Sequence, residues 1–501
     1  MPDASVPDPQ GTDALARARR TRVLVIGGGV AGLVAALEWA KIGAGVTVLE
    51  ASDRFGGMVE TVELDGLPID TVADAFPLGS VAFAALLDEL RLRESVEPAA
   101  PLPVWIAALP GDAAAPAPEA TVLGIPANPW AADVRRVIGW GGAWRAYLDR
   151  LRPPLTIGHE RSLGRLVRSR MGDRVVDRLV APVTRGVYGV DPDEVDVEVA
   201  APGLSTALTR TGSLSGAAFD LLPDDAAAPT RATLRGGMGG LVAALVARLG
   251  DLGADLRIAT EVVAVQRDDA WQVSVAETGA DRTLDAAGDT PDLLEADVVV
   301  VATGGAEATR LLESAGAAVS SSARSPRDVV TLVVASRALD AAPRGRAVYA
   351  ATQDAPAFGV AQATADWPWL AAAAGAGRHV LRVTLPADPE RSDEQRATDA
   401  ARAAEALLAV PLETPRAGIR RRVDAALPAS VLGHDDRVQA IRAAVARRPG
   451  LAVVGAWVSG TGIAQIASDA VAEVDRMRSA VLWGAEGSPR DGADAAEADP
   501  T

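Results

Sequence analysis

The chain is expected to be an α/β protein with a discontinuous Rossmann-like domain, a second mixed-sheet domain and a mainly helical subdomain. Three observations predict this. A β-branched run, Val23 to Ile26, leads into glycines at 27, 29 and 32, and a helical pattern follows from Leu33 to Ala40. Buried-strand patterns at 298–302 and 451–454 return far downstream, so the parallel sheet is assembled from distant pieces. The stretch between about 79 and 200 is dominated by helical periodicity and carries no nucleotide features.

The first of these is the centre of the chain. Gly27, Gly29 and Gly32 stand in G-x-G-x-x-G spacing, with Gly28, Val30 and Ala31 between them. The first glycine permits a tight turn, the second lets a pyrophosphate approach the backbone, and the third lets helix and strand pack closely. A second apolar run, Val46 to Leu49, ends on Glu50, where an acid would accept ribose hydroxyls. Ala51, Arg54, Gly56, Gly57 and Met58 follow in an E-A-x-x-R-x-G-G continuation. An arginine there can pair with phosphate, and two glycines let the chain cross close to a flat ligand.

Composition sets limits. The 501 residues suffice for two or three domains, and 49% hydrophobic content is ordinary for a globular protein. A net charge of −17 argues against a nucleic-acid surface and opposes long-range steering of anions, so an anionic substrate needs a local basic pocket. No cysteine is present, which removes disulfides, thiol nucleophiles and thiolate metal sites. Three scattered histidines, His159, His379 and His434, leave little for a metal centre, and none is expected. There is no apolar run long enough for a transmembrane segment and no apolar signal core in the first twenty residues, so a cytoplasmic location is expected.

Taken in order, 1–20 reads as a disordered N-terminus and 21–78 as the first part of the nucleotide domain, with a strand pair around Asp65-Gly66. The helical subdomain covers 79–200; a helix capped by Ser162 is expected to run to about Val180 and to end at Pro182. Trp130, Trp140 and Trp144 read as core residues of a helical stretch from Pro129 to Leu151. The substrate domain is expected over 201–230 and 311–440, the nucleotide domain resumes over 231–310 and 441–483, and 484–501 reads as a disordered tail. Gly455 and Gly460 to Ile463 form a second glycine-rich turn between a strand and a helix, which puts free amides at a helix N-terminus.

The E-A-x-x-R-x-G-G continuation resembles the FAD-binding amine-oxidase and protoporphyrinogen-oxidase superfamily, and FAD is the cofactor this implies. Four separated stretches resemble one branch, the protoporphyrinogen and coproporphyrinogen oxidases of haem synthesis. They are Gly27 to Gly57, Met171 to Pro192, Leu234 to Leu241 with Ala296 to Thr303, and Ala426 to Ile463. The G-V-Y-x-x-D-P run from Gly186 to Pro192 selects that branch most strongly.

The resemblance implies that Gly27 to Gly32 and Glu50 to Met58 hold the adenosine and pyrophosphate, with Val262 meeting the adenine side through its backbone. Val72, Ala73, Asp74 and Ala75 would lie along the flavin together with Gly460, Thr461, Gly462 and Ile463. Gly186 and Tyr188 would line the substrate cavity, with Arg185 a propionate partner; Tyr188 equally fits a half-buried core tyrosine. His434 reads as a structural hydrogen-bonding residue. The implied reaction takes a hydride from a porphyrinogen bridge to the flavin while a pyrrole nitrogen loses a proton, three times over, with dioxygen regenerating the flavin. It needs no metal or nucleophile, and no catalytic base is assigned. Coproporphyrinogen III is the substrate preferred on family grounds, and a homodimer and transient contact with other haem-synthesis enzymes are compatible with the resemblance.

The chain departs from the family at Val72, where glycine is usual, and at Val423, Ala429-Ser430, Val360-Ala361 and Thr384-Leu385. These departures keep two rival readings open: a flavin amine or small-molecule oxidase, and a degenerate paralogue that binds FAD or porphyrin without catalysis. An amine oxidase would carry aromatics near Gly455 to Ile463 and near Val423, where only Trp457 stands.

Overall fold

The computed structural model describes residues 16–152, 160–223, 230–278, 292–320, 326–352, 354–423 and 429–483. The expected disordered tail 484–501 and residues 1–15 lie outside the described residues, but 16–20, also expected to be disordered, form a helical turn with Ala18 buried and Thr21 bonded back to the Arg17 carbonyl.

A five-stranded sheet with every pairing parallel organises the molecule, in the order Asp255–Arg257, Gly45–Leu49, Arg22–Ile26, Val298–Val301, Leu451–Val453. Its strands read as continuous apolar runs because both faces are covered. Val23, Val25, Val46, Val48, Val298 and Val300 pack on one side against the helices Val30–Lys41 and Ile463–Trp483. Their strand neighbours Leu24, Ile26, Leu49, Val299 and Val301 point to the other side, toward Trp271 and the helix Gly305–Ser314. The discontinuity expected from sequence is present: three sheet strands lie beyond residue 250.

A seven-stranded mixed sheet forms the second layer system, and Arg327–Ala335 and Arg378–Pro386 pair antiparallel as its second and third strands. Val330, Leu332, Val334, Leu381, Val383 and Leu385 face the helix Asp393–Leu408. The alternate residues face the nucleotide domain, where Thr331 Oγ1 donates to the Thr71 carbonyl at 3.4 Å. That opposite face positions the site.

Three expectations are corrected. The stretch 79–200 is less helical than its pattern suggests: Val104–Leu109 and Ala113–Pro116 are strands of the seven-stranded sheet, the former paired in parallel with Ala347–Ala350. Their local composition, rich in alanine and proline, does not read as strand; pairing with distant residues decides it. The Ser162 cap is present, but its helix, Leu163–Met171, ends at Gly172 with φ +90°. Pro182 does not terminate anything; helical winding runs through it from Asp173 to Tyr188, with the turns on either side widened, the Ala181 N–H bonding the Val176 carbonyl and the Gly189 N–H the Thr184 carbonyl. Finally, Trp140 and Trp144 are not core residues, being 68% and 57% exposed. Gly139 adopts φ 71° and ψ 171° and kinks the helix Ala132–Tyr147, so both rings stack on Trp130 at the surface, with the Arg135 guanidinium 4.1 Å over Trp140.

Candidate active site

The glycine loop separates into residues that the protein itself requires and one that it does not. Gly27 has φ +104°, and a β-carbon there would lie 2.8 Å from the Ala302 carbonyl oxygen. On Gly32 it would lie 2.0 Å from the Gly27 carbonyl oxygen, and on Gly28 it would strike the Phe55 ring at 2.3 Å. On Gly29 it would meet nothing within 4 Å. Gly29 starts the helix from Val30 and Ala31 in an extended conformation, without a side-chain cap. No protein atom therefore requires a glycine at position 29, which leaves the backbone there open to close approach.

Glu50 holds this loop to the next. Its Oε2 accepts from the Gly28 N–H at 2.7 Å, and its Oε1 accepts from the Ser52 N–H and hydroxyl at 2.9 and 2.7 Å. Gly29 and Gly56 form an isolated parallel bridge, and Gly57 crosses so near that a β-carbon would lie 3.4 Å from Gly29 Cα. Ala51 and Met58 are exposed beside them. Arg54 donates to the Gly57 carbonyl and meets Glu60 at 3.0 Å. The Val262 carbonyl accepts from Arg310 at 2.9 Å.

At the carboxyl ends of the central strands, Thr303 Oγ1 and Trp457 Nε1 are buried without a hydrogen-bond partner. A β-carbon on Gly27 would lie 3.1 Å from the Thr303 nitrogen, and one on Gly455 (φ +128°) 3.7 Å from the Thr303 carbonyl oxygen. Orphaned polar atoms beside an open glycine at this edge of the sheet fit a large polar cofactor. Gly460 has φ +94° and packs against Ala429; Thr461 and Gly462 are exposed, and Ile463 is buried at the start of the last helix. His434 has the structural role expected of it: its Nε2 lies 3.1 Å from the Val458 carbonyl, and burial pushes its pKa down, so the neutral ring donates there.

The segment Val72 to Ala75 meets the second sheet through charge. Asp74 Oδ2 pairs with Arg382 at 2.7 Å and accepts from Trp367 Nε1 at 3.2 Å. Burial alone would raise the Asp74 carboxyl, but the Arg382 charge and hydrogen bond outweigh it and hold the pKa below the usual value. Val72 and Ala73 are half-buried beside it. One residue before the segment, Thr71 donates to Glu60 at 2.8 Å, and Glu60 takes both Nε and Nη2 of Arg421 from the sheet's edge strand.

From the helical side, Gly186 seats on Tyr349 of the sheet: a β-carbon on Gly186 would lie 2.3 Å from the ring. Arg185 is committed to Asp191 at 2.6 Å and its carbonyl accepts from Arg327. The Tyr188 side chain lies outside the described residues. Tyr349, Arg382, Arg346, Arg231 and Asp366 were not foreseen. The legible signal was Arg382, a lone charge inside the apolar run Val380 to Leu385; nothing local marked the others.

A discontinuous parallel sheet and a glycine loop open at Gly29, faced by a second, seven-stranded sheet, define a dinucleotide-binding fold. The family model of the flavin-containing amine oxidoreductases matches residues 30–472, and the chain belongs to that family. It is an oxidoreductase, and FAD is its cofactor. It is 28% identical over 528 aligned positions to a coproporphyrinogen III oxidase of Propionibacterium freudenreichii, with 96% of each chain covered. Identity to the coproporphyrinogen III oxidase of Mycobacterium bovis is 29%, over 88% of this chain and 93% of that one. A crystal structure from Exiguobacterium sp., described as a candidate protoporphyrinogen oxidase, superposes with TM-score 0.76 at 22% identity, covering 91% of this chain and 98% of that one. Among the described residues no helix is long and apolar enough to cross a membrane.

Proposed function

We propose that the chain oxidises coproporphyrinogen III to coproporphyrin III in haem biosynthesis, by three two-electron steps with dioxygen as acceptor and hydrogen peroxide as second product. The observation that carries this reading is the meeting of Gly186, in the run that singles out the porphyrinogen branch, with Tyr349 on the sheet face that also bears Arg382 opposite Asp74. The near-full-length relatives named coproporphyrinogen III oxidase support it.

The glycine loop from Gly27 to Gly32 with Glu50 would hold FAD, which when bound would supply the two-electron hydride acceptor. The rest is the work of the chain. Asp74 and Arg382 tie the flavin-facing segment to the substrate sheet, so the reacting faces keep their separation. The Gly186–Tyr349 contact brings the helical side onto that sheet and helps exclude water. No base is assigned to the pyrrole proton, because aromatisation favours the later proton shifts.

Aerobic turnover tests the proposal. Coproporphyrinogen III should give coproporphyrin III with three equivalents of peroxide; no enzyme-dependent peroxide would overturn it.

A further inference from the structure

We propose that Arg346, supported by the Tyr349 hydroxyl, receives a carboxylate of the substrate where the three parts of the molecule meet. This deepens the porphyrinogen reading and rests on it.

The basic side chains of the junction are not equivalent. Arg382 is spent on Asp74 and on the Asp70 carbonyl, to which it donates at 2.8 Å. Arg231 is spent on Asp366 Oδ2 and lies 5.2 Å over the Trp367 ring. Arg185, the propionate partner suggested by the sequence, is held by Asp191. Arg346 differs: its guanidinium donates no hydrogen bond among the described residues. Its nearest carboxylate oxygen, Asp366 Oδ2 at 3.9 Å, already accepts from Arg231. Yet the side chain is only 23% exposed, so water alone serves it poorly.

A guanidinium carries five donors in a planar fork, matched by a carboxylate in a bidentate pair. Leaving that fork unmet in a partly dry site is costly, and an anionic ligand group removes the cost. Arg346 lies within electrostatic reach of Asp74 in the flavin-facing segment and of Tyr349 on the sheet. The Tyr349 ring is fixed between Gly186 and Gly359, where β-carbons would approach it to 2.3 and 2.7 Å. Its hydroxyl makes no hydrogen bond among the described residues, and burial keeps it protonated, so it can donate to the same anion. A fixed phenol three residues along the chain from an unmet guanidinium, and within its electrostatic reach, offers a second donor to a carboxylate on a flexible arm. It would orient one edge of a tetracarboxylate macrocycle without touching the reacting bridge, so Arg346 is a positioning residue.

The test compares the FAD-loaded protein with Arg346→Met, titrating coproporphyrin III and its tetramethyl ester by fluorescence. The expected result is a roughly 10- to 100-fold loss of affinity for the acid, with the ester bound alike by both proteins. Arg346→Lys should recover part of the loss. Flavin content and melting temperature report folding; if the methionine variant is unfolded, Tyr349→Phe takes its place, with a loss of about three- to tenfold for the acid alone. An unchanged affinity for the acid, or an equal loss for acid and ester, overturns the inference and leaves the porphyrinogen reading standing. A wild-type protein that binds neither ligand and turns over no coproporphyrinogen overturns both.

Discussion

Arg382 lies 2.7 Å from Asp74, joining the third strand of the seven-stranded sheet to the segment that follows the hairpin Thr61–Asp70. Both side chains are largely shielded, Arg382 10% and Asp74 22% exposed, so each favours the charged form of the other. Arg382→Met would leave the Asp74 carboxylate with the Trp367 N–H and more distant cations. Its expected cost is about 3–5 kcal/mol of stability, measured by denaturant unfolding. The double variant Arg382→Met/Asp74→Asn should recover a large part of that loss.

Gly29→Ala and Gly27→Ala should behave oppositely. At Gly29 an added methyl meets no protein atom within 4 Å, so the FAD-free protein should unfold as wild type while FAD affinity falls by about tenfold or more. At Gly27 the positive φ and the Ala302 carbonyl make alanine strained, costing about 1–3 kcal/mol even without cofactor. Calorimetry with and without FAD separates the two.

Asp70 gives a pH signature. Burial, opposed by its hydrogen bonds, pushes this carboxyl up to about 6. A group whose pKa is higher in the folded state holds its proton there longer than in the unfolded chain, so its contribution to stability falls as pH rises from about 4 to about 6 and is level above that. The amplitude is about 3 kcal/mol on the scale of 1.4 kcal/mol per unit. Asp70→Asn should remove this component of the slope in urea titrations between pH 4 and 7.

The exposed tryptophans offer a contrast. Trp144→Ser should change stability by less than about 1 kcal/mol, because the ring is largely in solvent. Trp271→Ala should cost about 3–5 kcal/mol: that ring is fully buried beneath the nucleotide sheet, and its Nε1 donates to the Pro449 carbonyl at 3.1 Å.

The cofactor half of this account was legible because its chemistry is local. The loop from Gly27 to Gly32, Glu50 and the Gly56-Gly57 crossing lie within one strand–helix–strand unit, where spacing alone dictates geometry. The substrate half was not, because Tyr349, Arg346 and Arg382 reach the junction only through long-range pairing of strands whose own sequences read as ordinary sheet. Trp140 and Trp144 misled for a related reason. Aromatic residues at helical spacing suggest a core, and only the kink at Gly139 turns them outward. Pro182 failed as a stop signal because the winding on both sides of it widens to a larger turn, which accommodates a residue without an N–H.

The most direct measurement is anaerobic mixing of the FAD-loaded protein with coproporphyrinogen III, followed through the visible flavin absorbance. The account requires rapid bleaching, then porphyrin fluorescence growing once air is admitted. A flavin that stays oxidised under excess coproporphyrinogen III would contradict it.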